Sequence, residues 1–62
     1  MIIMLDYARI ILPKVSFSEE LFEKELLKCI EWVGPENLNE LFQFCQDNFG
    51  IEHGTIIQKV FH

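Results

Sequence analysis

Basic residues are few in this chain: five Lys and Arg stand against ten Asp and Glu, for a net charge of −5. A face that holds DNA or RNA needs a basic stripe, so direct nucleic-acid binding is not expected. Cysteine is scarce as well. Cys29 and Cys45 allow at most one intrachain bridge, too few for a disulfide scaffold, and a reducing, cytoplasmic setting is the expectation. Three Gly and two Pro are too few for a collagen-like or low-complexity chain. Long apolar runs are missing: the longest, Met1–Leu5, has five residues, which spans no membrane. That run also lacks the basic flank of a secretory leader and is cut by Asp6. No Gly-rich turn surrounds Ser16 or Ser18, so neither a nucleophile elbow nor a phosphate cradle is indicated.

What the chain does have is apolar weight. Half of its 62 residues are hydrophobic, among them six Phe and one Trp. That composition buries surface and is not that of a disordered chain. The length fits one small domain over residues 1–62. A chain this short buries only about 60% of its unfolded surface, so its stability is marginal. Disulfides, a metal or a partner chain are the usual remedies, and a partner is the one this composition favours.

The spacing predicts a helix over 19–33. Ser18 is a suitable N-cap, Phe17 and Phe22 have the spacing of a hydrophobic staple, and Glu19, Glu20 and Glu23 suit the positive end of the helix dipole. Phe22, Leu26, Cys29, Ile30 and Val33 form one stripe. Gly34 takes the left-handed conformation that closes the helix, and Pro35 cannot continue it. A second helix is predicted over 36–49, with Leu38, Leu41, Phe42, Cys45 and Phe49 on one face. Gly50 ends it, with Ile51 closing a Schellman-type contact. The two helices are expected to form an antiparallel hairpin.

The ends are ambiguous. Residues 6–15 read as a helix capped by Asp6, stapled by Leu5 and Ile10, and ended or kinked by Pro13. The tail reads as a helix with a capping box at Thr55–Gln58 and Ile56, Ile57, Val60 and Phe61 on one face. Both segments also suit strands. The expected class is therefore all-α, with short terminal helices on the hairpin, and a β-α-α-β arrangement is the alternative.

No constellation points to catalysis. Carboxylate pairs such as Glu19/Glu23 and Glu36/Glu40 recur at i, i+4, but acid–base work needs them in a shielded cleft, and a solvated acidic face is the simpler account. Cys29 and Cys45 lie on apolar stripes, where a thiol acts as a small hydrophobe. In the expected hairpin their Cα atoms stand beyond about 10 Å, too far for a disulfide. A metal- or redox-responsive module would need Cys29, Cys45, His53 and His62 together, and their intervals match no zinc-ligand spacing. The two histidines are expected at the solvated surface. Neither a metal nor a cofactor is expected.

Trp32 is the most informative residue. On the helix over 19–33, Leu21 and Trp32 lie three turns apart on a side away from the main stripe, with Lys28 between them. Phe44 is likewise off the main face of the next helix. Either the terminal segments cover this strip, or Leu21, Lys28, Trp32 and Phe44 form an interface. An exposed Met1–Leu5 would enlarge such a patch. Seven Glu fall within residues 19–40, against Lys24 and Lys28. The expected function is a small protein–protein interaction domain, bound to a larger protein or to itself as a homodimer. The alternatives are the cysteine–histidine module and an acidic mimic that inhibits a nucleic-acid-binding protein.

Overall fold

A computed structural model describes residues 4–61, which form α-helices and one 3₁₀ turn joined by short connections. Helix α1 spans Met4–Val15, α2 Glu19–Val33, α3 Leu38–Phe49 and α4 Gly54–Val60, with a 3₁₀ turn over Pro35–Asn37 before α3. The all-α reading holds, and both ambiguous ends are helices rather than strands. Met1, Ile2, Ile3 and His62 lie outside the described residues, so most of the Met1–Leu5 run goes unjudged. No helix among the described residues is long and apolar enough to cross a membrane.

Helix α2 follows its sequence signals closely. The Ser18 backbone is extended (φ −130°, ψ 120°), and its Oγ accepts from the Leu21 amide at 3.3 Å. Phe22, Leu26, Cys29 and Val33 are buried. The staple is not formed, because Phe17 is 80% exposed while Phe22 is fully buried. Gly34 does take a positive φ of 89°, but with ψ of 150°, so the chain leaves α2 extended and Pro35 opens the 3₁₀ turn. The Asn37 amide donates to the Gly34 carbonyl at 3.2 Å, an i+3 bond, which delays α3 to Leu38 rather than residue 36.

The other expected boundaries shift for similar reasons. Asp6 does not cap α1, which begins at Met4, and Ile10 is 56% exposed rather than stapled. Pro13 sits inside α1 without ending it. Its ring removes one donor, but its fixed φ is helical, so the last turn is completed through Val15. Gly50 keeps right-handed angles (φ −60°, ψ −32°) and Ile51 is fully exposed, so no Schellman contact closes α3. Amides of Gly50 and His53 donate to the carbonyls of Gln46 and Phe49 instead. Helix α4 is entered through His53, not Thr55.

Packing departs from the expected hairpin. The most extensive contact of α2 is with α1, across the short connection at Ser16–Ser18, and α3 touches α2 only lightly. Gly34 and the 3₁₀ turn stand between α2 and α3 and lengthen their connection. One buried cluster gathers Leu5, Ala8 and Leu12 from α1, Phe22, Leu26, Cys29 and Val33 from α2, Leu41, Cys45 and Phe49 from α3, and Ile57 from α4. Phe22 is its hub: its ring meets Phe49 edge-on at 5.0 Å and stacks on His53 at 4.2 Å. Surface ion pairs link Arg9 to Glu40 at 3.6 Å and Lys59 to Glu23 at 2.9 Å, each worth about 1 kcal/mol or less.

Candidate interaction surface

The core stripe of α2 leaves its other side free. Buried Phe22, Leu26, Cys29 and Val33 fall on one arc, so Leu21, Lys28 and Trp32 project from a separate one. Trp32 is 70% exposed and Leu21 41% exposed. These two are not covered by the terminal helices. Phe44 does not join them. It is half-buried, packs on the core and meets Phe49 edge-on at 6.0 Å. The strip is therefore confined to α2, because Phe49 offers Phe44 an aromatic partner within its own helix.

Lys28 is held in place. The Tyr7 hydroxyl of α1 donates to Glu25 Oε1 at 3.2 Å, and Lys28 Nζ lies 3.7 Å from the same oxygen. The ammonium also stands 5.7 Å from the Tyr7 ring centroid. This small network fixes the middle of the strip between its two apolar ends. Tyr7 was not legible as a contributor, since nothing in its local sequence says which helix it meets. Phe17, Leu27 and Ile10 add further exposed apolar area, and Ile51 caps the α3–α4 turn.

The cysteines are core residues. Both thiols are free and buried. Burial pushes the Cys29 thiol up to about 11, with the Glu25 carboxylate adding to the rise and Lys28 opposing it. Burial pushes Cys45 up to about 12, with the charge of Cys29 adding to it. A thiol acts as nucleophile or metal ligand only as the thiolate, so these values make both side chains inert near neutral pH.

His53 overturns its expected place at the solvated surface. It is 6% exposed, lodged against Phe22 and Phe49. Its Nε2 lies 2.7 Å from the Ser16 carbonyl, which only accepts, so Nε2–H donates. Nδ1 is buried without a hydrogen-bond partner. No cluster of three or more His, Cys, Asp or Glu suited to a metal occurs among the described residues. An open hollow over the α3–α4 turn is lined by Gln46, Glu52, Thr55 and Gln58. The chain matches no family model, no curated protein and no solved structure.

Proposed function

We propose that this chain is a non-catalytic interaction domain that binds another protein through the outer strip of α2, formed by Leu21, Lys28 and Trp32. The observation that carries the reading is Trp32, a large aromatic left 70% exposed on the same face of α2 as exposed Leu21. Aromatic residues give contact area at small entropic cost and dominate the energy of many interfaces. The Tyr7–Glu25–Lys28 network supports the reading because it holds the strip's polar centre in one geometry before any partner arrives. Two free, buried thiols suit a reducing compartment such as the cytoplasm. The cysteine–histidine alternative draws less support, since thiols with such high proton affinity are poor ligands and poor redox groups.

The test is a pair of variants, Trp32→Ala and Leu21→Ser. Trp32→Ala removes a largely exposed side chain and leaves the melting temperature nearly unchanged, while Leu21→Ser lowers it modestly, since Leu21 is 41% exposed and Ser is the weaker helix former. Binding to a partner isolated with the native chain weakens by about 2 kcal/mol for Trp32→Ala, the scale of an interface anchor. Unchanged partner affinity in both variants refutes the reading.

A further inference from the structure

We infer that α4 is an exchangeable element: α3 and α4 run together into one helix, and the α4 of a second copy takes the place of the chain's own on α2 and α3. The connection between them is already close to helical. Among the described residues only Gly34 has a positive φ, so no left-handed corner fixes the α3–α4 turn. Gly50 keeps α-helical angles, and the amides of Gly50, His53 and Ile57 donate to the carbonyls of Gln46, Phe49 and His53, each four residues back. That is the bonding of an uninterrupted helix. The apolar period also runs through the turn. Phe42, Cys45, Phe49, His53, Ile56 and Val60 recur at steps of three or four residues, one stripe over both helices. Ile51 is fully exposed in the turn and loses no buried contact when it straightens.

The contacts that seat α4 are met equally by another copy. Ile57 is buried in the shared cluster, Phe61 meets Phe42 edge-on at 5.1 Å, Lys59 Nζ lies 2.9 Å from Glu23, and His53 stacks on Phe22. Each joins α4 or a residue flanking it to α2 or α3, and none depends on which chain supplies the helix. Straightening the turn carries Ile57 roughly 12 Å past Phe49 along the axis of α3, so α4 leaves its own α2 and is free for a second one. The occupant is thereby fixed: a groove that fits α4 accepts α4. The exchange is reciprocal and closes as a two-fold dimer. Gly50 and Gly54 oppose it, because glycine weakens the interior of a continuous helix. The exchange is independent of the docking strip, since Glu23 and Trp32 lie on opposite sides of α2.

The test refolds the full chain from urea at high concentration and measures the dimer by sedimentation. A Cβ at Gly54 meets nothing within 4 Å in the closed fold, whereas the residue is interior to the straightened helix, so Gly54→Ala raises the association constant roughly tenfold. Gly50→Ala raises it further, because its Cβ would stand 2.5 Å from the Gln46 carbonyl oxygen in the closed turn. Ile51→Gly combined with Glu52→Gly lowers it by roughly tenfold, since both side chains are exposed and the added glycines weaken only the continuous helix. Charge reversal reports the crossing itself. Lys59→Glu and Glu23→Lys each set like charges together within one chain, and refolded as a mixture they pair opposite charges only between chains, so the mixed dimer forms in preference to either homodimer. Trp32→Ala leaves the association constant unchanged. Four outcomes overturn the inference: Gly54→Ala that stays monomeric, a dimer indifferent to the hinge substitutions, random mixing of the charge-reversed chains, or a dimer lost in Trp32→Ala.

Discussion

His53 shows how one side chain ties together distant parts of this chain. Its ring stacks on Phe22 and its Nε2–H reaches the Ser16 carbonyl, 37 residues away. His53→Ala removes a buried ring and a donor at once, and an expected loss of about 3 kcal/mol follows from the cavity alone. His53→Phe keeps the stacking but leaves the Ser16 carbonyl without its donor, at about 1–3 kcal/mol. Urea unfolding of the two variants ranks them, and equal costs would show that the buried ring contributes nothing beyond the hydrogen bond. The thiols give a second residue-scale prediction. In the unfolded chain they lose protons near pH 9, and in the folded chain near 11 and 12. The unfolded state therefore binds fewer protons over that interval. Stability is fully present below about pH 9 and falls as pH rises through the two folded values, by about 1.4 kcal/mol for each tenfold difference in proton affinity. Unfolding at pH 8 and pH 10.5 measures the slope, and Cys29→Ala with Cys45→Ala flattens it relative to the parent.

At the scale of elements, α2 is the segment whose sequence and structure agree best, because its signals are local. Ser18 supplies the cap oxygen, the apolar stripe fixes the buried arc, and Gly34 supplies a positive φ where the chain must turn. Ser18→Ala is expected to cost about 1 kcal/mol, read as a lower melting temperature with the helical signal of the folded state unchanged. The terminal helices were harder to read. A short β-branched run such as Ile10–Ile11 or Ile56–Ile57 satisfies either period, and what selects helix is burial of Leu5, Ala8, Leu12 and Ile57 in a cluster shared with other elements. The choice of neighbour was equally hidden. A Gly-Pro junction suggested pairing of α2 with α3, but the extended ψ of Gly34 and the 3₁₀ turn lengthen that connection, and the shorter Ser16–Ser18 link wins. Within the candidate surface, Leu21, Lys28 and Trp32 were legible from helical spacing. Phe44 was misplaced because the aromatic partner that half-covers it, Phe49, counted only as a core residue of the same helix. His53 was missed outright, since a lone histidine between Glu52 and Gly54 says nothing of a carbonyl at Ser16.

The whole molecule is small, with a radius of gyration of 10.3 Å and extents of 29 × 22 × 18 Å. Its four helices share one buried cluster, and the apolar side chains left outside it are Leu21 and Trp32 of the α2 strip together with Ile10, Phe17, Leu27 and Ile51. Its last helix, α4, has seven residues, well under the length at which a helix persists alone in water. What holds α4 is tertiary: buried Ile57, the Lys59–Glu23 pair and the anchored ring at its entrance. The corner at Ser16–Ser18 is held by that same ring. The two regions therefore open as a unit. In native-state hydrogen exchange, the amides of Ile57 and Phe61 are expected to share an opening energy with those of Leu21 and Phe22, and His53→Ala accelerates all four together while the middle of α2 stays protected. An imidazole clasp thus makes the chain's fourth helix a guarantor of the bend between its first two, and loosening at one site is felt at the other.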